Sequence, residues 1–187
     1  PTIQNTELTN GYMAIRADLE SFPTLSNNTY VENQYNGFCV EGGTITSNTT
    51  WDILDTSYFI IETITVGSGS TLTINPDVVV KFNFDRSLIV DGTLRVLGTE
   101  TEPVYLTSLR DDTIGGDTNG DGSGSSPARE DWLRIQFNDG SDDANSLIDY
   151  AVIRYGGESS YGSIQLVSAS PTIQNTELTN GYMAIRA

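Results

Sequence analysis

The chain has 187 residues, with 25 acidic and 9 basic side chains and no histidine, so its net charge is -16 at pH 7 and its pI is near 4.1. This charge repels a phosphate backbone and an anionic bilayer, so neither nucleic acid nor a membrane surface is an expected partner. The missing histidine removes the commonest general base and transition-metal ligand, and no apolar run is long enough to span a bilayer.

Short strands and polar turns begin at the N-terminus and recur at a regular spacing. PTIQN at 1–5 returns as PTLSN at 23–27, and each is followed by Asn-Gly and an aromatic residue. This spacing of about 22 residues suits one coil of a parallel β-helix, in which neighbouring coils stack through hydrogen bonds between strands. No segment shows helical periodicity, so the expected fold is all-β.

The next segment contains the single cysteine and two glycosylation sequons. Cys39 lies between Phe38 and Val40, where a free cysteine is predicted to be a small buried hydrophobe, and no disulfide can form within the chain. The sequons start at Asn27 and Asn48, both at predicted turns where a glycan would fit. Sequons also arise by chance in a chain rich in Asn and Thr, so glycan attachment and its absence both stay open.

The middle of the chain alternates apolar and polar residues. In the segments 71–74 and 93–96 this alternation places four residues on one face, which we expect to line the solenoid interior: Leu72, Ile74, Leu94 and Val96. Threonine and arginine on the other face are expected outside.

The segment 110–130 is an acidic, glycine-rich insertion between coils. Asp117, Asn119 and Asp121, followed by glycine, have the spacing of the first half of a calcium loop, in which alternate oxygen ligands converge on one hard cation. An EF-hand is excluded because Ala128 stands where its final glutamate would be. The predicted site is therefore a Ca²⁺ site of Asp112, Asp117, Asn119 and Asp121, and the alternative is a flexible polar turn without metal.

The remaining ligands of this site are not determined by the spacing. Further candidates are Asp111, the Ser123 carbonyl, Glu130 and Asp131, which flank or close the loop. A second acidic cluster at 139–143 is interpreted as a solvated turn rather than a metal site.

The run from Ile64 to Gly157, including ITVGSGSTLTINPDVVVKF, LIVDGTLRVLGT and the acidic loop, resembles the right-handed parallel β-helix modules of large bacterial and archaeal cell-surface and secreted proteins. The resemblance is weaker over Pro1 to Gly43. It implies a right-handed parallel β-helix and an extracellular or cell-surface setting, but no single activity, since such modules serve as spacers, adhesin stalks or carbohydrate-facing surfaces. Glu130 departs from these modules, which more often have glycine before Asp-Trp.

The last seventeen residues, 171–187, repeat the first seventeen, PTIQNTELTNGYMAIRA, without a change. We interpret 1–170 as one full repeat of about six to seven coils and 171–187 as the start of the next repeat. An engineered duplication is the alternative, and covalent linkage is preferred over end-to-end stacking of separate subunits. The two copies should be related by an axial translation of about 29–34 Å and some rotation, since stacked coils are about 4.8 Å apart.

The sequence therefore predicts a structural protein, a fibre or stalk whose partners are identical repeats end to end. One alternative is an adhesin module that binds carbohydrate, with Trp51, Tyr155 and Tyr161 as stacking residues. Another is a polysaccharide lyase or hydrolase that uses Arg134, Arg154 and Asp149, although nothing groups these residues into a cleft motif. The protein is expected not to be an enzyme, because a catalytic site copied in every repeat is less common than a copied structural unit.

Overall fold

A computed structural model describes all residues from Pro1 to Ala187 and shows a parallel β-solenoid without helices. The chain forms 22 short strands, and every pairing between them is parallel. Three strands make one coil, and strands of neighbouring coils pair to form sheets that run along the axis of the solenoid. No helix is long and apolar enough to span a bilayer.

The strands form three long sheets and two short ones. The seven-stranded sheet contains β3 (Met13–Ala17), β6 (Tyr35–Val40), β9 (Tyr58–Ile60), β12 (Val79–Phe82), β15 (Val104–Ser108), β18 (Ala151–Arg154) and β21 (Glu177–Thr179). The six-stranded sheet contains β7 (Gly43–Ile45), β10 (Ile64–Val66), β13 (Ser87–Val90), β16 (Arg134–Phe137), β19 (Ile164–Leu166) and β22 (Ile185–Arg186). The five-stranded sheet contains β8 (Thr49–Trp51), β11 (Thr71–Ile74), β14 (Thr93–Leu97), β17 (Leu147–Asp149) and β20 (Thr172–Gln174). The two short sheets pair β1 (Thr2–Gln4) with β4 (Thr24–Ser26), and β2 (Glu7–Thr9) with β5 (Thr29–Val31).

The core lies inside the coils and consists of stacked rows of aliphatic and aromatic side chains. The four residues that the alternation placed inside, Leu72, Ile74, Leu94 and Val96, are all fully buried there, so that prediction is confirmed. Stacking puts like residues above one another because paired strands are in register, as at Leu72 and Leu94. Each residue therefore buries apolar area against the same row of the neighbouring coil.

The number of coils follows from the register of the seven-stranded sheet, which contributes one strand to each coil. Ile15 of β3 and Leu178 of β21 are six pairings apart along this sheet. Only the step from Leu106 to Ile153 is much longer in sequence than the others, because it contains the acidic insertion. The segment 1–170 thus contains a little more than six coils, as the sequence predicted. Six steps correspond to an axial rise of about 29 Å.

The stack has a gap between its second and third coils. β4 and β5 pair only with β1 and β2, so the seven-stranded sheet alone runs past this gap. A groove of about 640 Å³ opens there, and Asp55 bridges it by accepting hydrogen bonds from Asn28 Nδ2 and the Tyr30 hydroxyl, both at 2.8 Å. The first two coils are therefore joined to the rest of the stack by one continuous sheet, by the Asp55 bridge and by apolar side chains such as Phe22 and Leu25 that pack against the core.

The first two strands of the two identical segments, and the turns that follow them, have the same local structure. Asn5 and Asn175 adopt φ of 50° and 47°, and Asn10 and Asn180 adopt φ of 58° and 56°. Asparagine is one of the few residues that tolerate this left-handed conformation, which makes the sharp turns between strands. The third strands differ in place, however, because β3 belongs to the seven-stranded sheet and β22 to the six-stranded sheet.

Glu130 has φ of 69°, a left-handed conformation that favours glycine. Only glycine adopts this conformation without a steric cost. We expect Glu130→Gly to raise the free energy of unfolding by about 0.5–1 kcal/mol, measured by urea denaturation. The matched control is Glu100→Gly, at an exposed turn residue without positive φ, which should leave stability unchanged or lower it. Destabilisation by both substitutions to the same extent would contradict the assignment of strain to Glu130.

Candidate calcium site

The acidic loop leaves the solenoid after β15 and returns at β16, and between these strands it lies against the outside of the seven-stranded sheet. Asn36 N donates to the Thr118 carbonyl at 2.8 Å, and Lys81 Nζ donates to the Gly116 carbonyl. Asn36 belongs to the second coil and Lys81 to the fourth, whereas the loop starts from the fifth. The loop therefore runs backward along the axis and ties several coils together.

This packing buries a row of outward-facing side chains that a bare solenoid would expose. Cys39, Phe59, Lys81 and Thr107 are register neighbours on the outer face of the sheet, and all four are fully buried. Cys39 is buried as predicted, but it belongs to a small cluster with Phe59 and Leu109 that is separate from the main core. Burial raises the pKa of its thiol to about 11, so it is a poor nucleophile.

Gly120 allows the loop to approach the second coil closely. A Cβ at this position would lie 2.4 Å from the Asn33 carbonyl oxygen, and its φ is 65°. Both the space and the conformation therefore exclude other residues here. Gly120 is therefore the glycine of the predicted calcium motif whose missing side chain permits the close approach, because a Cβ at Gly122 would meet no atom within 4 Å.

Three carboxylates of the loop converge on one point. Single oxygens of Asp112, Asp117 and Asp121 all lie within 4.8 Å of one another. The Asp117 carboxylate also accepts hydrogen bonds from the backbone N–H groups of Asp121 at 3.1 Å and Gly122 at 2.8 Å. The motif thus wraps around its first aspartate. Of the four predicted ligands, the structure brings the three carboxylates together, those of Asp112, Asp117 and Asp121.

Two buried oxygens beside this point have no hydrogen-bond partner, namely Asp112 Oδ1 and Asn119 Oδ1. Asn119 uses its Nδ2 to donate to Asp121 Oδ2 at 2.8 Å and to Ser125 Oγ at 3.0 Å, which leaves its carbonyl oxygen free. A buried oxygen without a partner costs free energy, and a cation would remove that cost. Carboxylate and amide oxygens are the ligands that Ca²⁺ prefers.

The charges of the cluster act against one another. Burial and the neighbouring Asp117 carboxylate raise the pKa of Asp112, while the Lys81 ammonium opposes this shift. A hydrogen bond from Ser125 is the largest cause of the lowered pKa of Asp121. Asp112 therefore carries its charge at a cost that either a proton or a metal ion would relieve.

Asp111 and Asp131, both candidates for the missing ligands, instead fix the two ends of the loop. Asp111 is fully buried, accepts a hydrogen bond from Thr107 Oγ1 at 2.7 Å and lies 3.6 Å from the Arg154 guanidinium. Asp131 accepts hydrogen bonds from Ser108 Oγ at 2.6 Å and from Arg110 at 3.1 Å. Their oxygens are occupied by protein donors, which leaves Asp112 as the carboxylate that joins the motif.

The second acidic cluster makes its contacts with turns and with the following coil. Asp142 accepts hydrogen bonds from Asn145, and Asp143 accepts one from Ser170 N at 2.7 Å. These contacts match the interpretation of 139–143 as a solvated turn.

The two sequon asparagines both lie at exposed turns. Asn27 Nδ2 donates to Asn5 Oδ1 at 2.6 Å, so the nitrogen that would carry a glycan is engaged by the neighbouring coil. Asn48 uses its Oδ1 to accept from Thr71 N at 3.0 Å, and its amide nitrogen makes no hydrogen bond. Asn48 is therefore the predicted site whose amide nitrogen is not engaged by another residue.

The residues proposed for carbohydrate stacking do not form an aromatic platform. Trp51 is fully buried and stacks on Tyr58 with ring centroids 5.0 Å apart, so its assignment as an exposed stacking residue was wrong. In β8, Thr49 and Trp51 face inward and Thr50 faces outward. This alternation along the strand was the feature of the sequence that could have placed Trp51 inside. Tyr155 packs against the core, and Tyr161 is covered by the Arg134 guanidinium at 3.8 Å.

The residues considered for polysaccharide cleavage lie in separate local contacts. Arg134 is 3.9 Å from Glu158, and Arg154 pairs with Asp111. Asp149 accepts hydrogen bonds from Gln174 and Asn175, each at 2.9 Å. The structure does not bring these three residues together.

Comparison with family models, with curated proteins and with solved structures gave no significant match for this chain. The parallel β-solenoid is therefore established by the structure itself, and the cell-surface setting remains an expectation from the resemblance.

Lys81 is expected to compete with a bound cation. Burial lowers the pKa of Lys81 to about 8, and the nearby carboxylates of Asp112, Asp111 and Asp117 oppose that shift. Lys81→Met removes a positive charge from beside the cluster, so we expect Ca²⁺ affinity measured by calorimetry to rise by about tenfold or more.

The matched control for this prediction is Arg110→Met, which removes a loop cation that contacts Asp131 rather than the cluster. We expect this control to change Ca²⁺ affinity far less. Weaker binding in Lys81→Met, with the loop still folded, would show that the ammonium does not oppose the cation.

Proposed function

We propose that this chain is the repeat unit of an extracellular tandem-repeat β-solenoid, a fibre or stalk, in which Ca²⁺ stabilises the acidic loop of each repeat. Its role is mechanical. Consecutive repeats continue one stack of coils, and the loops brace that stack from outside.

The observation that carries this proposal is the placement of the C-terminal copy. Its three strands, β20, β21 and β22, each add one strand to a different long sheet. Ile173 and Leu178 of this copy pack against the same core as the preceding coils. The C-terminal copy is thus joined to the preceding coils by all three sheets rather than by a linker, which supports its interpretation as the start of a second repeat.

The open edges of the copy favour further stacking. β20, β21 and β22 are the last strands of their sheets, so one side of each has unpaired backbone groups. Such edges are templates for additional strands. β4 and β5 pair with β1 and β2, the first two strands of the N-terminal copy. In a following repeat, the equivalents of β4 and β5 would pair with β20 and β21 in the same way.

Calcium fits this role because of where the loop lies. The loop contacts the second and the fourth coils and passes the gap between the second and third coils, where two of the three sheets are interrupted. A cation held by Asp112, Asp117, Asn119 and Asp121 would relieve the repulsion that opposes loop docking. The loop would then act as a clamp over the seven-stranded sheet.

The extracellular setting is supported by the resemblance to surface and secreted modules and by the acidic composition. Asn48 is the site at which we propose glycan attachment, with Asn27 as a second site. Mass spectrometry of the native protein, with and without enzymatic removal of N-glycans, measures this directly.

The test of the structural role is the stability of chains with one, two and three repeats. In a continuous stack each added repeat supplies an interface, so we expect the urea midpoint to rise from one repeat to two. Leu178→Asn at the first junction should cancel much of that gain, whereas the neighbouring Thr179→Asn should not, because Leu178 packs on the core. Identical midpoints for all three chains would show independent domains and would overturn the proposal.

A further inference from the structure

We propose that consecutive repeats are rotated by one face of the solenoid, so that each acidic loop lies on the next face and the fourth loop returns to the face of the first. This inference rests on the proposed tandem array and defines how one repeat meets the next copy of itself. It comes from the different sheets that contain β3 and β22.

The same five residues, MAIRA, pair differently at the two ends of the chain. In the first copy Ile15 pairs with Phe38 and Arg16 with Cys39, in the seven-stranded sheet. In the second copy, the equivalent residues pair in the six-stranded sheet, Ile185 with Ile164 and Arg186 with Gln165. Since the first two strands and the turns of the copies agree in local structure, we infer that the third strands differ in their position around the axis.

The strand count gives the same rotation. β1 and its copy β20 are nineteen strands apart, and three strands make one coil. Nineteen strands are six coils and one additional strand, so each repeat begins one face further along the coil. Three repeats complete nineteen coils and bring the pattern back to its starting face.

The rotation joins different sheets across the junction. β22 ends the six-stranded sheet of one repeat, and its equivalent β3 begins the seven-stranded sheet of the next. On the six-stranded sheet, one outward-facing row of register neighbours consists of Ile89, Gln136, Gln165 and Arg186. Arg186 is the equivalent of Arg16, whose own row continues through Cys39, Phe59 and Lys81. In the next repeat, the equivalents of these three residues would therefore extend the first row. That second row lies beneath the acidic loop, so the loop of the next repeat covers this face.

The arrangement has a mechanical consequence at the gaps. In each repeat the loop covers the seven-stranded sheet, the one that runs unbroken past the gap between the second and third coils. Without rotation, all gaps would open on the same two sides, and the fibre would bend easily toward them. With rotation the braced face moves around the axis, so resistance to bending is shared among the three faces, and neighbouring acidic loops are separated.

Cryo-microscopy of a chain of four repeats, with Ca²⁺ present, tests this inference. We expect a rotation of about one third of a turn, together with the residual twist of the stack, over a rise of about 30 Å per repeat. Density for the loops should appear on three faces in succession, with the fourth loop above the first. A continuous rod with all loops on one face would overturn the rotation but leave the proposed array intact, whereas four separate domains would overturn both.

Disulfide trapping gives an independent measure of the same placement. In a Cys39→Ser background, Gln165→Cys with Arg186→Cys should form a disulfide on mild oxidation, because these residues are register neighbours. Arg154→Cys with Arg186→Cys should not, because Arg154 belongs to β18 of the seven-stranded sheet, the strand that MAIRA would join if the repeats were not rotated. In a two-repeat chain, trapping of the second pair and not the first would place MAIRA on the unrotated face and contradict the inference.

Discussion

Phe82→Ala is expected to lower the free energy of unfolding by about 3–5 kcal/mol, the range for truncating a large aromatic residue in a packed core. Phe82 is fully buried and stacks on Trp132 with ring centroids 4.3 Å apart. Trp132 stands where the acidic loop returns to the solenoid, and its Nε1 donates to the Arg154 carbonyl at 2.7 Å. The substitution therefore leaves a cavity in the core and loosens the end of the loop.

Phe84→Ala is the matched control, because Phe84 is two residues away and 63% exposed. We expect this substitution to change stability by less than about 0.5 kcal/mol. Urea denaturation followed by tryptophan fluorescence measures both variants. Equal losses for the two phenylalanines would be inconsistent with the burial that the structure shows.

Calcium is expected to stabilise the chain by about 2.7 kcal/mol at a free concentration one hundred times its Kd. Asp117→Ala with Asp121→Ala should abolish both saturable binding in calorimetry and the shift in Tm on adding Ca²⁺. Asp112→Asn tests the ligand that lies outside the motif, and it should weaken binding while preserving the shape of the side chain. Protein stripped by a chelator is the starting material.

The control for net charge is Asp52→Ala with Asp139→Ala, which removes two exposed carboxylates outside the loop. This variant should bind Ca²⁺ as the parent protein does. Full binding by Asp117→Ala with Asp121→Ala would place the site elsewhere or remove it, and loss of binding in both double variants would indicate a general charge effect.

The solenoid could be predicted from the sequence because its information is local and repeated. Alternation at Leu72 and Ile74 determines which side of a strand faces inward, and the recurrence of PTIQN as PTLSN gives the length of a coil. Asparagine in the turns permits the left-handed conformation that closes each corner, as at Asn5 and Asn27. Each of these patterns is local or recurs within one coil, so a single sequence is sufficient to recognise it.

The candidate site was predicted only in part because its surroundings depend on long-range packing. The spacing of Asp117, Asn119 and Asp121 was readable, but the docking of the loop onto the second coil was not. Alternation places Lys81 outside, where it would be expected in water, yet the loop buries it. The roles of Asp111 and Asp131 at the loop ends could not be predicted either. Their donors, Thr107 and Ser108, belong to β15, and the sequence does not show that these hydroxyl groups face the loop.

The face change between the copies was also beyond the sequence. Identical residues carry no signal for different sheets, and the rotation follows from the strand count of the whole repeat. That count depends on irregular coils near the gap, where β6 is longer than its neighbours and its pairing with β3 contains a register shift.

The measurement that tests the central claim most directly is the length of the particle as repeats are added. Small-angle X-ray scattering of chains with one, two and three repeats should show the maximum dimension increasing by about 30 Å per repeat, at a constant cross-section, because little more than six coils are added each time. A cross-section that grows with repeat number, or a profile of separate compact domains joined by linkers, would contradict a continuous solenoid built from this repeat.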